Sequence, residues 1–132
     1  MEFVSFNGKE KVLHSLRNIK QSIHLLQDWG KDIVSADDYL LSPEGMKNLA
    51  ASCMMIEAIG EAFKKIDKET NGTLLIMYPG IPWKAVKGIR DHIAHGYFEI
   101  DADIIYSTVK ENLDPLLEAT SFFINVVSNV QS

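Results

Sequence analysis

Apolar residues recur at steps of three and four along most of this chain, the spacing of one helix face rather than the alternation of a strand. Val12, Leu16, Ile19, Ile23 and Leu26 form the first such stripe, and Gly30 closes it. Residues 35–41 read as a short helical turn. Ser42, Pro43 and Glu44 then supply an N-cap, a proline at the first helical position and an acid in the first turn. A second long helix is therefore predicted from about Pro43 to about Glu69, with Leu49, Cys53, Ile56, Gly60 and Phe63 on one stripe. Glycine inside a helix costs about 1 kcal/mol relative to alanine, so Gly60 points to a close helix contact. Thr70, Asn71 and Gly72 stop this helix.

The run 73–78 has strand-like composition but no partner run elsewhere, so it is read as a short helix or loop packed on the core. Pro79, Gly80, Ile81 and Pro82 make a turn. A third helix follows from Pro82, carrying Trp83, Val86 and Ile89 inward and ending near Gly96. Asp101 can cap the last helix, and Asp103 sits favourably at its positive end. From Ile104 to Val127 that helix has a wide apolar face, and Pro115 must kink or restart it. The expected fold is all-α, an up-and-down bundle of four to five helices in one domain spanning 1–132. Part of the wide apolar surface is a candidate seam between copies.

Apolar residues make up 46% of the chain and charged residues 23%, an ordinary globular mix. A net charge of −5 argues against a protein that coats nucleic acid, because sequence-independent affinity comes from lysine and arginine neutralising phosphates. It leaves local positive charge open. Lys84, Lys87 and Arg90 recur every three residues before two histidines, either as a basic stripe or as an ordinary solvated face. No apolar run is long enough to span a bilayer, and the first residues lack the pattern of a signal peptide, so no membrane partner and a cytoplasmic location are expected. One cysteine, Cys53, allows no internal disulfide and reads as a small buried side chain. His14 and His24 read as partly exposed structural histidines, Trp83 as core and Glu61 as a buried helix-contact acid.

The segment from Arg90 to Tyr97 concentrates the chemistry: a fixed cation, two imidazoles and a phenol within eight residues. RNA carries its own nucleophile, the 2′-hydroxyl. Its cleavage needs a base, an acid and a cation for the charged phosphorane. Histidine titrates near neutrality and serves as base or acid, while arginine forks onto phosphate oxygens. Arg90 and His95 in this Arg-x4-His pair are the candidate catalytic residues. On one continuous helix they would stand roughly 140° apart, so Arg90 must reach around the helix or work with a histidine from another subunit. Asp91 and His95, four apart, would share a face, letting Asp91 orient the imidazole. His92 and His95 have zinc-compatible spacing but nothing completes four ligands, so no metal and no cofactor are expected.

Ile59 to Ala62, Ile81 to Trp83 and the run from Arg90 to Asp101 resemble, in order and spacing, the HepT-like (DUF86) toxin family of the HEPN superfamily. The resemblance covers about residues 10–127. It implies a metal-independent endoribonuclease toxin of a type VII-like toxin–antitoxin pair, dimerising so that two motifs form a shared cleft. Its partners would be an RNA substrate, a second copy of the chain and an MntA-type nucleotidyltransferase antitoxin. By the same resemblance Arg90 and His95 are catalytic, Asp91 is the supporting polar residue, and Tyr97 is the tyrosine that the antitoxin modifies with AMP. Family members often carry asparagine where this chain has Asp91. The alternative is a non-catalytic HEPN module that uses the same cleft to hold a nucleotidyltransferase.

Overall fold

The computed structural model describes residues 1–94 and 99–131, and its regular elements are helices. Helix α1 (Gly8–Gly30) and helix α2 (Pro43–Glu69) are the two long elements, and a third, α6 (Leu113–Ser128), packs beside α1. Their stripes meet in one core: Leu16, Ile19, Ile23 and Leu26 of α1, Phe63 and Ile66 of α2, and Phe123 and Val127 of α6 are fully or almost fully buried. The predicted start of α2 is realised in detail, with the Ser42 hydroxyl accepting from the Gly45 N–H at 2.9 Å and Pro43 inside the first turn. At its other end Asn71 and Gly72 take positive φ of 52° and 74°, and the Gly72 N–H returns to the Asp67 carbonyl at 2.9 Å. That left-handed pair turns the chain out of the helix.

Residues 73–78 form no strand. Leu75–Met77 is a single 3-10 turn, and Leu74 and Leu75 are driven into the core. Trp83, read as core, is half-buried and packs against that core, its ring 5.0 Å from Phe63 and 5.4 Å from Phe123 between centroids. Its indole N–H donates to the Tyr78 carbonyl at 2.9 Å, which satisfies the one polar atom the ring must bury.

One expectation is corrected, and another, the kink or restart at Pro115, takes the form of a restart. The third helix does not run to Gly96: α3 (Trp83–Lys87) ends at Gly88, a one-turn helix α4 (Arg90–Ile93) follows, and Ala94 is already extended at φ −148° and ψ 136°. Glycine is a poor helix former, and the chain at this point is held by a tertiary contact that a straight helix would not make. The last helix does not simply kink. Asp101 caps α5 (Ala102–Ser107) by accepting from the Ile104 N–H at 3.1 Å, and a π-type turn, Thr108–Asn112, joins α5 to α6. That wider turn lets α6 begin afresh at Leu113, so Pro115 falls in a first turn where its missing N–H leaves no bond unmade.

Candidate active site

The position of α4 is set by the glycine at position 60. A β-carbon there would come within 2.8 Å of both the Ile89 Cγ2 and the Val86 carbonyl oxygen, closer than any side chain tolerates. Only hydrogen at Gly60 lets the end of α3 and the start of α4 lie down on α2. Lys87 adds a polar tie, its ammonium 2.8 Å from an Asp67 carboxylate oxygen with both side chains partly buried. Ile93, fully buried, anchors the far end of the turn. Between these three attachments Arg90, Asp91 and His92 point to solvent.

Beyond Ile93 the backbone is gathered by an antiparallel bridge between Ala94 and Ile100 and by the Asp101 N–H donating to the Ile93 carbonyl at 2.9 Å. His95 and Tyr97, the candidate catalytic imidazole and the candidate modified phenol, lie outside the described residues. The sequence-based geometry for His95 does need revision. Because α4 ends at Ile93, neither the 140° separation from Arg90 nor the helical i,i+4 pairing with Asp91 applies, since both assumed one helix through position 95.

The basic stripe is likewise changed. Lys84 and Arg90 are exposed, but Gly88 interrupts the helix between them and Lys87 is engaged with Asp67. Glu61, expected to be buried at a helix contact, is exposed, one residue past the glycine that makes the contact instead. His14, His24 and His92 are exposed, and His14 lies 3.2 Å from the Asn18 side-chain nitrogen. Cys53 is buried as expected. Its thiol is pushed up to about 11 by burial, reinforced by the neighbouring Glu57 carboxylate. Among the described residues no three His, Cys, Asp or Glu side chains are grouped to hold a metal ion, and no helix is long and apolar enough to cross a membrane.

Sequence reasoning missed a cleft of about 290 Å³ beside this site. Ile56, Gly60, Pro82, Val86, Ile89 and Asn112 are among the residues that line it. Its far wall is the π-type turn, an irregularity that no periodicity announces. Asp67 was also missed, being an ordinary acid on a helix until α3 is placed against it.

Long helices packed on one core, with the short α4 seated on α2 and a capped return into the last helix, make an all-α bundle of the HEPN kind. The chain belongs to the ribonuclease HepT-like family, whose model matches residues 19–122. It is 31% identical over 101 residues to "Probable ribonuclease HepT" of Thermococcus cleftensis, an alignment covering 76% of this chain and 84% of that protein. A Methanocaldococcus jannaschii protein named "Putative RNase" is 33% identical over 97 residues, covering 71% of this chain and 77% of its own length. Another of that name, from Caldanaerobacter subterraneus subsp. tengcongensis, is 31% identical over 101 residues, with 76% and 83% covered. No solved structure matches the chain significantly.

Proposed function

We propose that this chain is a metal-independent endoribonuclease, the toxin of a toxin–antitoxin pair, acting as a homodimer in which two Arg90 to Tyr97 segments share a cleft. The observation that carries the reading is family membership together with an exposed Arg90 on a rigidly seated turn, five residues before His95. In the proposed reaction a neutral His95 imidazole takes the proton of a ribose 2′-hydroxyl, whose oxygen then attacks the adjacent phosphorus. The P–O5′ bond breaks, and the same imidazole, now protonated, returns that proton to the leaving 5′-oxygen. The products are a 2′,3′-cyclic phosphate and a 5′-hydroxyl. Arg90 stabilises the extra negative charge on the phosphorane, a role suited to a permanently charged fork. Asp91 supports the site from the adjacent position on α4.

Control of the toxin would fall to an MntA-type nucleotidyltransferase that transfers AMP from ATP to the Tyr97 hydroxyl, releasing pyrophosphate. The adenylate would add negative charge beside a cleft that must accept phosphates. Cleavage of RNA by purified protein in excess EDTA, lost in His95→Ala with the helical signal retained, tests the catalytic reading. Activity that disappears with chelator and returns with a divalent ion would defeat the metal-independent mechanism. An intact chain that binds a nucleotidyltransferase but never cuts RNA would favour the non-catalytic module instead. Intact-mass measurement after incubation with ATP and the partner enzyme tests Tyr97, with an added adenylate expected on wild type and absent from Tyr97→Phe.

A further inference from the structure

Four lysines, Lys64, Lys68, Lys84 and Lys87, stand on α2 and α3 around the turns that the Lys87–Asp67 ion pair joins. Asp67 pairs with Lys87, and on α2 the exposed Lys64 and Lys68 stand three residues before it and one after it. Lys84, also exposed, lies three residues before Lys87 and so shares its side of α3. Lys64 is placed with particular economy. It lies one turn beyond Gly60, where Ile89 touches α2, and one turn before Asp67, where Lys87 touches it, so it borders the surface on which α3 rests. The other acids on this stretch of α2 are few: Glu61 is exposed one turn before Lys64, and Glu69 accepts from the Ser5 N–H at 2.8 Å on the side of the N-terminal segment.

The chain that follows Arg90 has the other sign. From Asp91 to Thr108 there is no lysine or arginine, whereas Asp91, Glu99, Asp101 and Asp103 are all exposed. The molecule carries a net charge of −5, so the exposed lysines on the α2–α3 surface, of which Lys64, Lys68 and Lys84 form no ion pair among the described residues, run against the overall balance. A polyanion that brings one phosphate to Arg90 is attracted from the α2–α3 side and repelled from the α5 side.

We propose that the RNA strand reaches Arg90 over the α2–α3 surface, with Lys64, Lys68 and Lys84 contacting phosphates on one side of the scissile bond. Lys87 contributes by fixing α3 against α2, since its own charge is matched by Asp67. This inference rests on the ribonuclease reading, but it fails separately from it.

Binding of a labelled, unstructured single-stranded RNA to the His95→Ala protein, titrated across salt concentration, reads the contacts without cleavage. Each lysine that neutralises a phosphate adds about 0.7 to the slope of log affinity against log salt for a single strand. Lys64→Gln, Lys68→Gln and Lys84→Gln together should therefore flatten the slope by about 2, and Lys47→Gln, on the distant first turns of α2, should leave it alone. A slope unchanged by the triple substitution, in a protein whose wild type cleaves RNA, overturns the lysine track and leaves the ribonuclease reading standing. A wild type that neither binds nor cleaves RNA overturns both.

Discussion

Gly60 and Ile89 are in such close register that a methyl group added at position 60 would sit 2.8 Å from the Ile89 Cγ2 and equally close to the Val86 carbonyl oxygen. Two effects oppose each other in Gly60→Ala. Alanine gains about 1 kcal/mol of helix propensity, but forcing extra volume against backbone costs typically 1–3 kcal/mol. The carbonyl cannot rotate away as a side chain would, so the clash should win. Urea denaturation is expected to show a net loss of stability, and RNA cleavage should fall more than the unfolded fraction explains, because α4 and Arg90 move with Ile89. A variant that is more stable and fully active would show that α4 is not seated by this contact.

The same turn is held from its other end by the cap of α5. Asp101→Ala removes the acceptor for the Ile104 N–H and should cost about 0.5–2 kcal/mol, whereas Asp101→Asn caps about equally well and should cost little. The backbone bond from Asp101 to Ile93 survives both changes. Equal losses in the two variants would mean that the carboxylate charge, not the cap, is what position 101 contributes.

How much of this was readable beforehand follows from the range over which each signal acts. The start of α2 was legible because Ser42, Pro43 and Glu44 encode it within three residues, and its end because Asn71 and Gly72 are adjacent. The break at Gly88 was not, since one interior glycine weakens a helix without ending it, as Gly60 shows in α2, and the meeting of Ile89 with Gly60, 29 positions away, decides the matter. Pro115 announced an irregularity but not its form, because a kink, a restart and a π-type turn all relieve the same missing N–H. At the site, the motif from Arg90 to Tyr97 is contiguous in sequence and stood out at once. The surroundings of Arg90 did not, because the ion pair of Lys87 with Asp67 and the adjoining cleft exist only once α3 lies on α2.

Cys53 should behave as a buried thiol rather than a reactive one. Burial and Glu57 push its pKa from 9.0 up to about 11, so the folded chain holds about a hundredfold less thiolate near pH 8 than the unfolded chain. Alkylation by iodoacetamide at pH 8 should be at least that much slower in native buffer than in urea. The sign for stability follows: a raised pKa contributes stability that is fully present below pH 9.0 and is lost as pH rises through about 11. In Cys53→Ala that alkaline component should vanish. Rapid native alkylation at pH 8 would contradict the assigned environment.

Mixed subunits offer the sharpest test of a shared cleft. The early end of α4 at Ile93 removes the helical geometry that had separated Arg90 from His95, so the case for two subunits rests on function and needs its own measurement. If each site takes Arg90 from one chain and His95 from the other, a dimer of Arg90→Ala with His95→Ala holds one complete site and one doubly defective site. Equal mixing makes half the dimers of this kind, so activity should recover to about a quarter of wild type. Each variant alone should be inactive while retaining its helical signal, because Arg90 is exposed and its removal leaves the Ile93 anchor and the Gly60 contact in place. Subunit exchange confirmed by differential tagging, with no recovered cleavage, would place both groups of each site on one chain.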